Sequence, residues 1–175
     1  MATYSVDTAH SEISFSVRHM VFAKVRGHFK TWTVSLAYDP QNPTKSTVEV
    51  DIDAASIDTR EAQRDAHLRS PDFLDAEKFP KIIFKSKRIE PSGKGHYKVV
   101  GDLTIHGETH DVALDVEETG RGKDPWGNER VGFSAKGSIE RSQWGLKWNQ
   151  ALETGGVLVA DKIDIDIEAE AIQGK

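Results

Sequence analysis

Along most of the chain apolar and polar residues alternate with a period of two, the repeat of a strand with one buried face. Over residues 11–21, Ile13, Phe15, Val17, His19 and Val21 alternate with Glu12, Ser14, Ser16 and Arg18. Residues 26–38 place Trp32, Val34, Leu36 and Tyr38 on one parity and Phe29 on the other, which predicts a bulge near Lys30. The alternation returns at 47–55 through Val48, Val50, Ile52 and Ala54, and at 82–89 through Ile82, Phe84 and Ser86. Pro91, Ser92, Gly93 and Gly95 then predict a turn. A strand over 96–105 carries Tyr97, Val99, Leu103 and Ile105, and His106-Gly107 fits a two-residue hairpin turn. The returning strand runs to about Glu118, and a loop is expected over 120–128. Residues 130–141 turn Val131, Phe133, Ala135, Gly137 and Ile139 inward, the stretch SQWGLKWNQALETGG breaks the pattern, and 162–171 closes the chain with Ile163, Ile165, Ile167, Ala169 and Ala171.

One long stretch departs from this rhythm. Between Ser56 and Phe84, Asp58 followed by Glu61 has the form of a helix N-cap with a capping box, and 59–69 lacks the Gly, Pro or β-branched runs that oppose helix. Its apolar content is only Ala62, Ala66 and Leu68, so the helix must lean on a core made elsewhere. Ser70 and Pro71 open a further short turn that presents Phe73 and Leu74. The insertion, about 58–78, reads as a cover laid over one end of a β-structure.

About eight or more strands, each with one apolar face, cannot form a flat open sheet without leaving that face wet; they close into an antiparallel up-and-down barrel. The fold class is therefore all-β, an extended barrel with a short helical insertion, and residues 1–175 read as a single domain. A barrel of about eight strands is either filled by its side chains or holds one narrow ligand. The inward set mixes bulky Phe15, Trp32, Phe84 and Phe133 with small Ala54, Ser86, Gly101, Ala135, Gly137 and Ala169. Interdigitation of large with small and a lengthwise void are both open readings of that mixture.

Composition mainly excludes. With 23 Lys and Arg against 28 Asp and Glu, the net charge is −5, and a chain acidic overall lacks the basic footprint of a nucleic-acid or anionic-membrane binder. The absence of cysteine removes disulfides, thiolate catalysis and Cys-ligated zinc. No apolar run approaches the ~20 residues of a membrane span. The opening MATYSVDTAHSE has neither the basic nor the apolar region of a secretory leader, so at face value the chain is expected to be cytoplasmic. No nucleophile elbow, P-loop, dinucleotide fingerprint or zincin motif is present. His106 and His110 form an H-x3-H pair, but across a hairpin turn rather than on one helix face. The acidic row Asp161, Asp164, Asp166, Glu168 and Glu170, with Asp51 and Asp53, reads as a solvated face that blocks edge pairing.

HSEISFSVRHM at 10–20, VRGHF at 25–29, the 56–84 stretch with its RDAHLRSPDF run, GDLTIHGETHDVAL at 101–114 and GFSAKGSIERSQWGL at 132–146 together resemble the YceI-like family, over essentially the whole chain and in that family's order. The resemblance implies a lipocalin-like barrel with a helical insertion whose lumen binds long apolar chains, such as polyisoprenoid quinones, polyprenyl phosphates or fatty-chain amphiphiles. It implies a homodimer and no required cofactor, and it sets the leaderless opening apart from the many periplasmic members.

Taken one by one, the inward residues are ordinary core. With the resemblance, Phe15, Val17, Trp32, Phe84, Leu103, Phe133 and Ile165 become the expected tunnel lining, and Phe73, Leu74, Trp144 and Leu146 its gate. His19, Arg64, His67 and Arg69 are candidates for the ligand head group, because guanidinium forks match phosphate oxygens. The competing reading of that cluster is structural, with Asp65 and Arg69 paired at i, i+4 and Arg64 or His67 tying the helix to the barrel backbone. No catalytic or metal residue is assigned. The alternative function is a metal-dependent or other enzyme acting on a small molecule at this His/Arg cluster.

Overall fold

The computed structural model describes residues 2–20, 22–150 and 158–174. Its strands are β1 (Ala2–Val6), β2 (Glu12–His19), β3 (Ala23–Phe29), β4 (Trp32–Tyr38), β5 (Thr47–Asp53), β6 (Ile57–Asp58), β7 (Lys81–Gly93), β8 (His96–Ile105), β9 (Glu108–Lys123), β10 (Glu129–Glu140) and β11 (Val159–Gln173), with one helix, α1 (Ala62–Arg69). Strands pair in the order β1-β4-β5-β7-β8-β9-β10-β11, and β11 pairs back to β1, closing an antiparallel barrel of eight strands. β2, β3 and β6 extend it: β2 takes the part of the β11 edge that β1 leaves, with Ile165 opposite Phe15. The alternation of the sequence is thus realised as a closed wall, apolar inside, as the resemblance implied.

β1 was not legible in the sequence, since ATYSV offers only Tyr4 and Val6 to a core. It is nonetheless the strand that seals the barrel, holding Leu36 of β4 on one side of Tyr4 and Gln173 of β11 on the other. The expected bulge near Lys30 is instead a corner that separates β3 from β4. Lys30 N–H donates to the Ser56 carbonyl, Asp53 N–H donates to that of Thr31, and the two strands go on to different partners. A corner changes side-chain parity as a bulge does, which is why the sequence pattern did not distinguish them.

β7 runs on to Gly93, through the expected turn at Pro91. β9 continues to Lys123, through Gly120 and Gly122. There Gly122 lies opposite Arg130 of β10, which pairs on its other side with Ile172 of β11, while β8 begins only at His96 opposite Glu117 and does not reach it. The sequence break expected at 142–156 contains a 3-10 turn at Arg141–Trp144; residues 151–156 and Val21 fall outside the described residues. The acidic row sits on β5 and β11, which have strand neighbours on both sides, so it guards no edge. Asp51 and Asp53 pair instead with Lys81, the first at 3.2 Å.

The helix is shorter than expected. It starts at Ala62, and the N-cap is Glu61, whose carboxylate accepts from Gln63 N–H and Arg64 N–H at 3.2 and 2.6 Å. Asp58 instead accepts from Arg60 N–H at 2.8 Å, fixing a left-handed Arg60. Only Asp65 of the helix is buried, while Ala62, Gln63 and Ala66 are exposed and Leu68 packs against the main cluster. The turn after it is what enters the core: Phe73, Leu74 and Ala76 are buried, and Leu74 and Ala76 join the main apolar cluster. This cover lies at the same end of the barrel as the His106-Gly107 turn, the β2–β3 turn and the 3-10 turn. His106 and Gly107 both have positive φ, 56° and 75°, as the hairpin reading requires.

Candidate functional site

Two apolar cavities lie end to end inside the barrel. The far chamber, about 160 Å³, is walled by residues including Trp32, Leu36, Tyr38, Val99, Phe133 and Ala135. The covered chamber, about 190 Å³, is walled by Phe15, Val17, Leu74, Leu103, Ile165 and others, with Phe73 and Leu68 from the cover and Leu146 from the loop beside it. Ile13, Val50, Phe84, Leu114 and Ile167 border both and form the waist between them. An apolar cavity of roughly 150 Å³ stays dry and accepts a benzene-sized guest. Each chamber therefore exceeds the space needed for such a segment, and the two are in line.

The void does not arise where the smallest inward residues are. A Cβ at Gly101 would lie 2.6 Å from Phe84 Cζ, and one at Gly137 would lie 2.7 Å from Leu114 Cδ2, so those glycines are already roofed by a neighbour. Ser86 is occupied as well, its hydroxyl accepting from Val48 N–H at 3.0 Å. Of the small residues, Ala135 and Ala169 line the far chamber. Large meeting small and an open lumen, posed as alternatives by the sequence, coexist here.

Of the expected lining, Phe15, Val17, Phe73, Leu74, Leu103, Leu146 and Ile165 border the covered chamber, Trp32 and Phe133 the far one, and Phe84 both. Trp144 does not border either. It is 1 % exposed, donates its indole N–H to the Leu103 carbonyl at 2.9 Å and stacks edge-on against His110, so it fastens the 3-10 turn to the wall rather than gating the lumen.

The four head-group candidates are also placed elsewhere. Arg64 donates to Thr59 Oγ1 and to the Thr59 carbonyl at 2.8 and 2.7 Å, tying α1 to the chain before it. The neighbouring Asp65 accepts from Thr59 N–H at 2.9 Å and does not pair with Arg69. His67 is held by Asp72 at 2.9 Å and packs edge-on against Phe73 and Trp148. Arg69 on the helix and His19 at the end of β2 border neither chamber. His106 and His110 part company too: one stacks on Phe79, the other on Trp144. Among the described residues no three His, Asp or Glu side chains gather as a metal cluster would require.

Among the described residues, the charged side chain that borders the covered chamber is Arg141. It is 4 % exposed and lies over the Phe73 ring at 5.8 Å. Its guanidinium donates to four backbone carbonyls, those of Ala160, Leu146, Trp148 and Val159, at 2.6 to 3.2 Å. A guanidinium carries five N–H donors, so these bonds leave one to spare. Burial pulls its pKa down and the Asp161 carboxylate pushes back, yet an arginine starts so high that it stays charged. The sequence did carry a hint of this. Arg141 continues the inward parity of Val131, Phe133, Ala135, Gly137 and Ile139, and an arginine there ends the apolar run with a charge on the same face.

The far chamber ends differently. Tyr38, 3 % exposed, donates its hydroxyl to Glu118 at 2.5 Å, and Arg121 pairs with the same carboxylate at 2.8 Å. Burial first, then the Glu118 bond, push the Tyr38 pKa well above the ordinary phenol value. Its ring is edge-on to Tyr4 and Phe133, centroids 5.5 and 5.3 Å apart. This end is knotted by side chains from β1, β4, β9 and β10.

No helix among the described residues is long and apolar enough to cross a membrane. The model of the YceI-like domain matches residues 4–171. A UPF0312 protein of Vibrio cholerae is 36% identical over 98% of this chain and 88% of its own length, and one of Staphylococcus epidermidis is 40% identical over 97% of both. Among solved structures, BcnA of Burkholderia cenocepacia superposes with a TM-score of 0.83 at 27% identity, covering 94% of this chain and 98% of that one. The YceI protein of Campylobacter jejuni gives 0.78 at 32% identity over 90% of both. A polyisoprenoid binding domain from Saccharophagus degradans shares the fold, with a TM-score of 0.66 at 13% identity over 99% of both chains. The match of the family model from Tyr4 to Ala171, with relatives 36 and 40% identical over nearly the whole chain, places this chain in the YceI-like domain family.

Proposed function

We propose that this protein binds and carries a long-chain apolar ligand, such as a polyisoprenoid quinone, a polyprenyl phosphate or a fatty-chain amphiphile, in the barrel lumen without chemically altering it. The observation that carries the reading is the pair of in-line apolar chambers joined at the Phe84 waist. The shared fold of the polyisoprenoid binding domain supports it. Burying one methylene is worth ~0.8 kcal/mol, so ten buried carbons supply roughly 8 kcal/mol, a micromolar affinity before the cost of ordering the chain. Such a ligand needs little polar recognition. In this reading the one N–H that Arg141 has to spare, on the wall of the covered chamber, meets an electronegative head group, a quinone oxygen or a phosphate.

The test is to purify the protein from its host, extract it with organic solvent and identify what is released by mass spectrometry. An isoprenoid or fatty chain near one per barrel supports carriage. A preparation whose extract holds no apolar chain, and which also takes up none from added ubiquinone or polyprenyl phosphate, overturns it.

A further inference from the structure

The turn between β2 and β3 stands out on the surface of an otherwise well-covered molecule. Phe22 is 88 % exposed and Met20 44 % exposed, and Met20 takes a left-handed backbone, φ 55°. A phenylalanine side chain so exposed on a hairpin tip gains little from the fold. The strands beneath it carry an unusual charge. From residue 13 to residue 38 the sequence contains no Asp or Glu but has Arg18, Lys24, Arg26 and Lys30, in a chain whose net charge is −5. Arg18 stands directly opposite Lys24, both exposed on the outer face. Like charges facing each other across two strands repel, so the barrel itself does not ask for this pairing. On the neighbouring β11, Asp164 lies opposite Ser16, at the level of Arg26, and Asp161 falls between the residues opposite His19 and Val17, where its carboxylate is taken up by Ser142 N–H and Oγ.

The same turn is attached to the rim of the covered chamber. Met20 N–H donates to the Leu158 carbonyl, Val159 pairs with His19, and Val17 and Val159 both border that chamber. The other exposed aromatic, Trp126 at 79 %, lacks such a setting: its loop is folded around Asp124, at the far end of the barrel.

We propose that the β2–β3 turn is a docking surface for an anionic lipid bilayer, with Phe22 and Met20 inserting at the level of the acyl boundary and Arg18, Lys24 and Arg26 meeting the phosphates. The proposal rests on the carriage reading above, because its purpose is to set the rim of the covered chamber against the membrane from which a chain is taken. Charge complementarity chooses the partner: a protein that is acidic overall turns a basic strand pair and an unburied aromatic toward the same side. Apolar side chains flanked by lysine and arginine are the composition that partitions into an anionic interface.

The experiment is flotation of the full chain with phosphatidylcholine vesicles, with and without phosphatidylglycerol. The expected result is partition onto the anionic vesicles, weakened by salt because surface charges are screened. Phe22→Ser should lower that partition by roughly tenfold, and Arg18→Glu or Lys24→Glu by at least about fivefold each, the worth of one basic residue at an anionic surface. All three side chains are exposed, and either charge reversal sets opposite charges across the strand pair, so thermal melting should not fall in any variant. Absence of wild-type partition onto anionic vesicles overturns the proposal, as does partition that none of the variants alters. It is equally overturned if sedimentation shows Phe22→Ser converting a dimer to monomers while neither form floats, since Phe22 then seats on a second copy. Extraction of the same preparations keeps the two readings apart. A bound chain without flotation removes the docking surface alone, whereas Phe22-dependent flotation of a protein that never holds a chain leaves docking standing and removes carriage.

Discussion

The two chambers are nearly equal in size and alike in their apolar walls, yet they are closed by opposite means. The far chamber ends in side chains of the barrel itself, where the Tyr38–Glu118–Arg121 knot ties β4 to β9. The covered chamber ends in chain laid across it: the turn after α1 supplies Phe73 and Leu74, and the loop beyond β10 is gathered by Arg141 onto backbone carbonyls. Opening the first means breaking the wall. Opening the second means lifting a segment whose hydrogen bonds are local and which is held by the packing of Phe73, Leu74 and Ala76, so no strand pairing is broken. On the carriage proposed above, the difference would put loading at the covered end and chain-length discrimination at the far end.

The sharpest way to break that asymmetry is to put a charge in the covered chamber. Phe15→Asp leaves a carboxylate against Phe29, whose ring centroid lies 5.6 Å from that of Phe15. It should abolish ligand uptake and, because an unpaired buried charge costs several kcal/mol, lower the unfolding midpoint in urea as well. A folded variant by circular dichroism that binds as wild type would contradict the assignment. Trp144→Ala comes next, with a cost of about 3–5 kcal/mol for an emptied aromatic site. Since Trp144 fastens the covered end from outside the lumen, ligand exchange should quicken while the far chamber is unaffected. Ala135→Trp is milder, about 1–3 kcal/mol of overpacking. It fills the far chamber only, so short-chain ligands should bind as before and long-chain ones should be lost, read by a competition series of prenyl lengths.

The smallest effect is expected at the knot. Tyr38→Phe deletes one buried hydrogen bond, about 1 kcal/mol, with no change in ligand affinity. It should also alter the alkaline limb of stability. A phenol whose pKa is raised in the folded state supports folding fully below its unfolded value near 10, and that support is lost as the pH climbs toward the folded value. Wild type should therefore destabilise above about pH 10, and Tyr38→Phe should do so less steeply; parallel curves would show that Tyr38 does not govern this limb.

How much of this was legible in the sequence follows from which interactions are periodic. Residues such as Phe15, Leu103 and Ile165 were placed in the lumen because a strand repeats every two residues and each lies on the apolar parity. The helix start was misplaced because Asp58 and Glu61 are both plausible caps, and only the carboxylate that reaches Gln63 and Arg64 decides between them. The head-group candidates failed for a related reason. Arg64 and His67 sit in a conspicuous motif, but their partners, Thr59 and Asp72, are near in sequence and absorb them locally. Arg141 was passed over because its partners are backbone carbonyls up to 19 residues away, which no side-chain pattern announces. Closure by β1 depends on pairing with residues at the opposite end of the chain, and a five-residue strand with two apolar positions carries too weak a repeat to be noticed.

The central claim is that a hollow apolar lumen takes up one long chain. It is tested most directly by methyl NMR of isoleucine-labelled protein titrated with a geranylgeranyl-chain amphiphile. The account predicts that Ile13, Ile165 and Ile167, which line the lumen, shift together and saturate at one ligand per barrel, while Ile172, buried outside both chambers, does not. Shifts confined to surface residues, or none at saturating ligand, would contradict it.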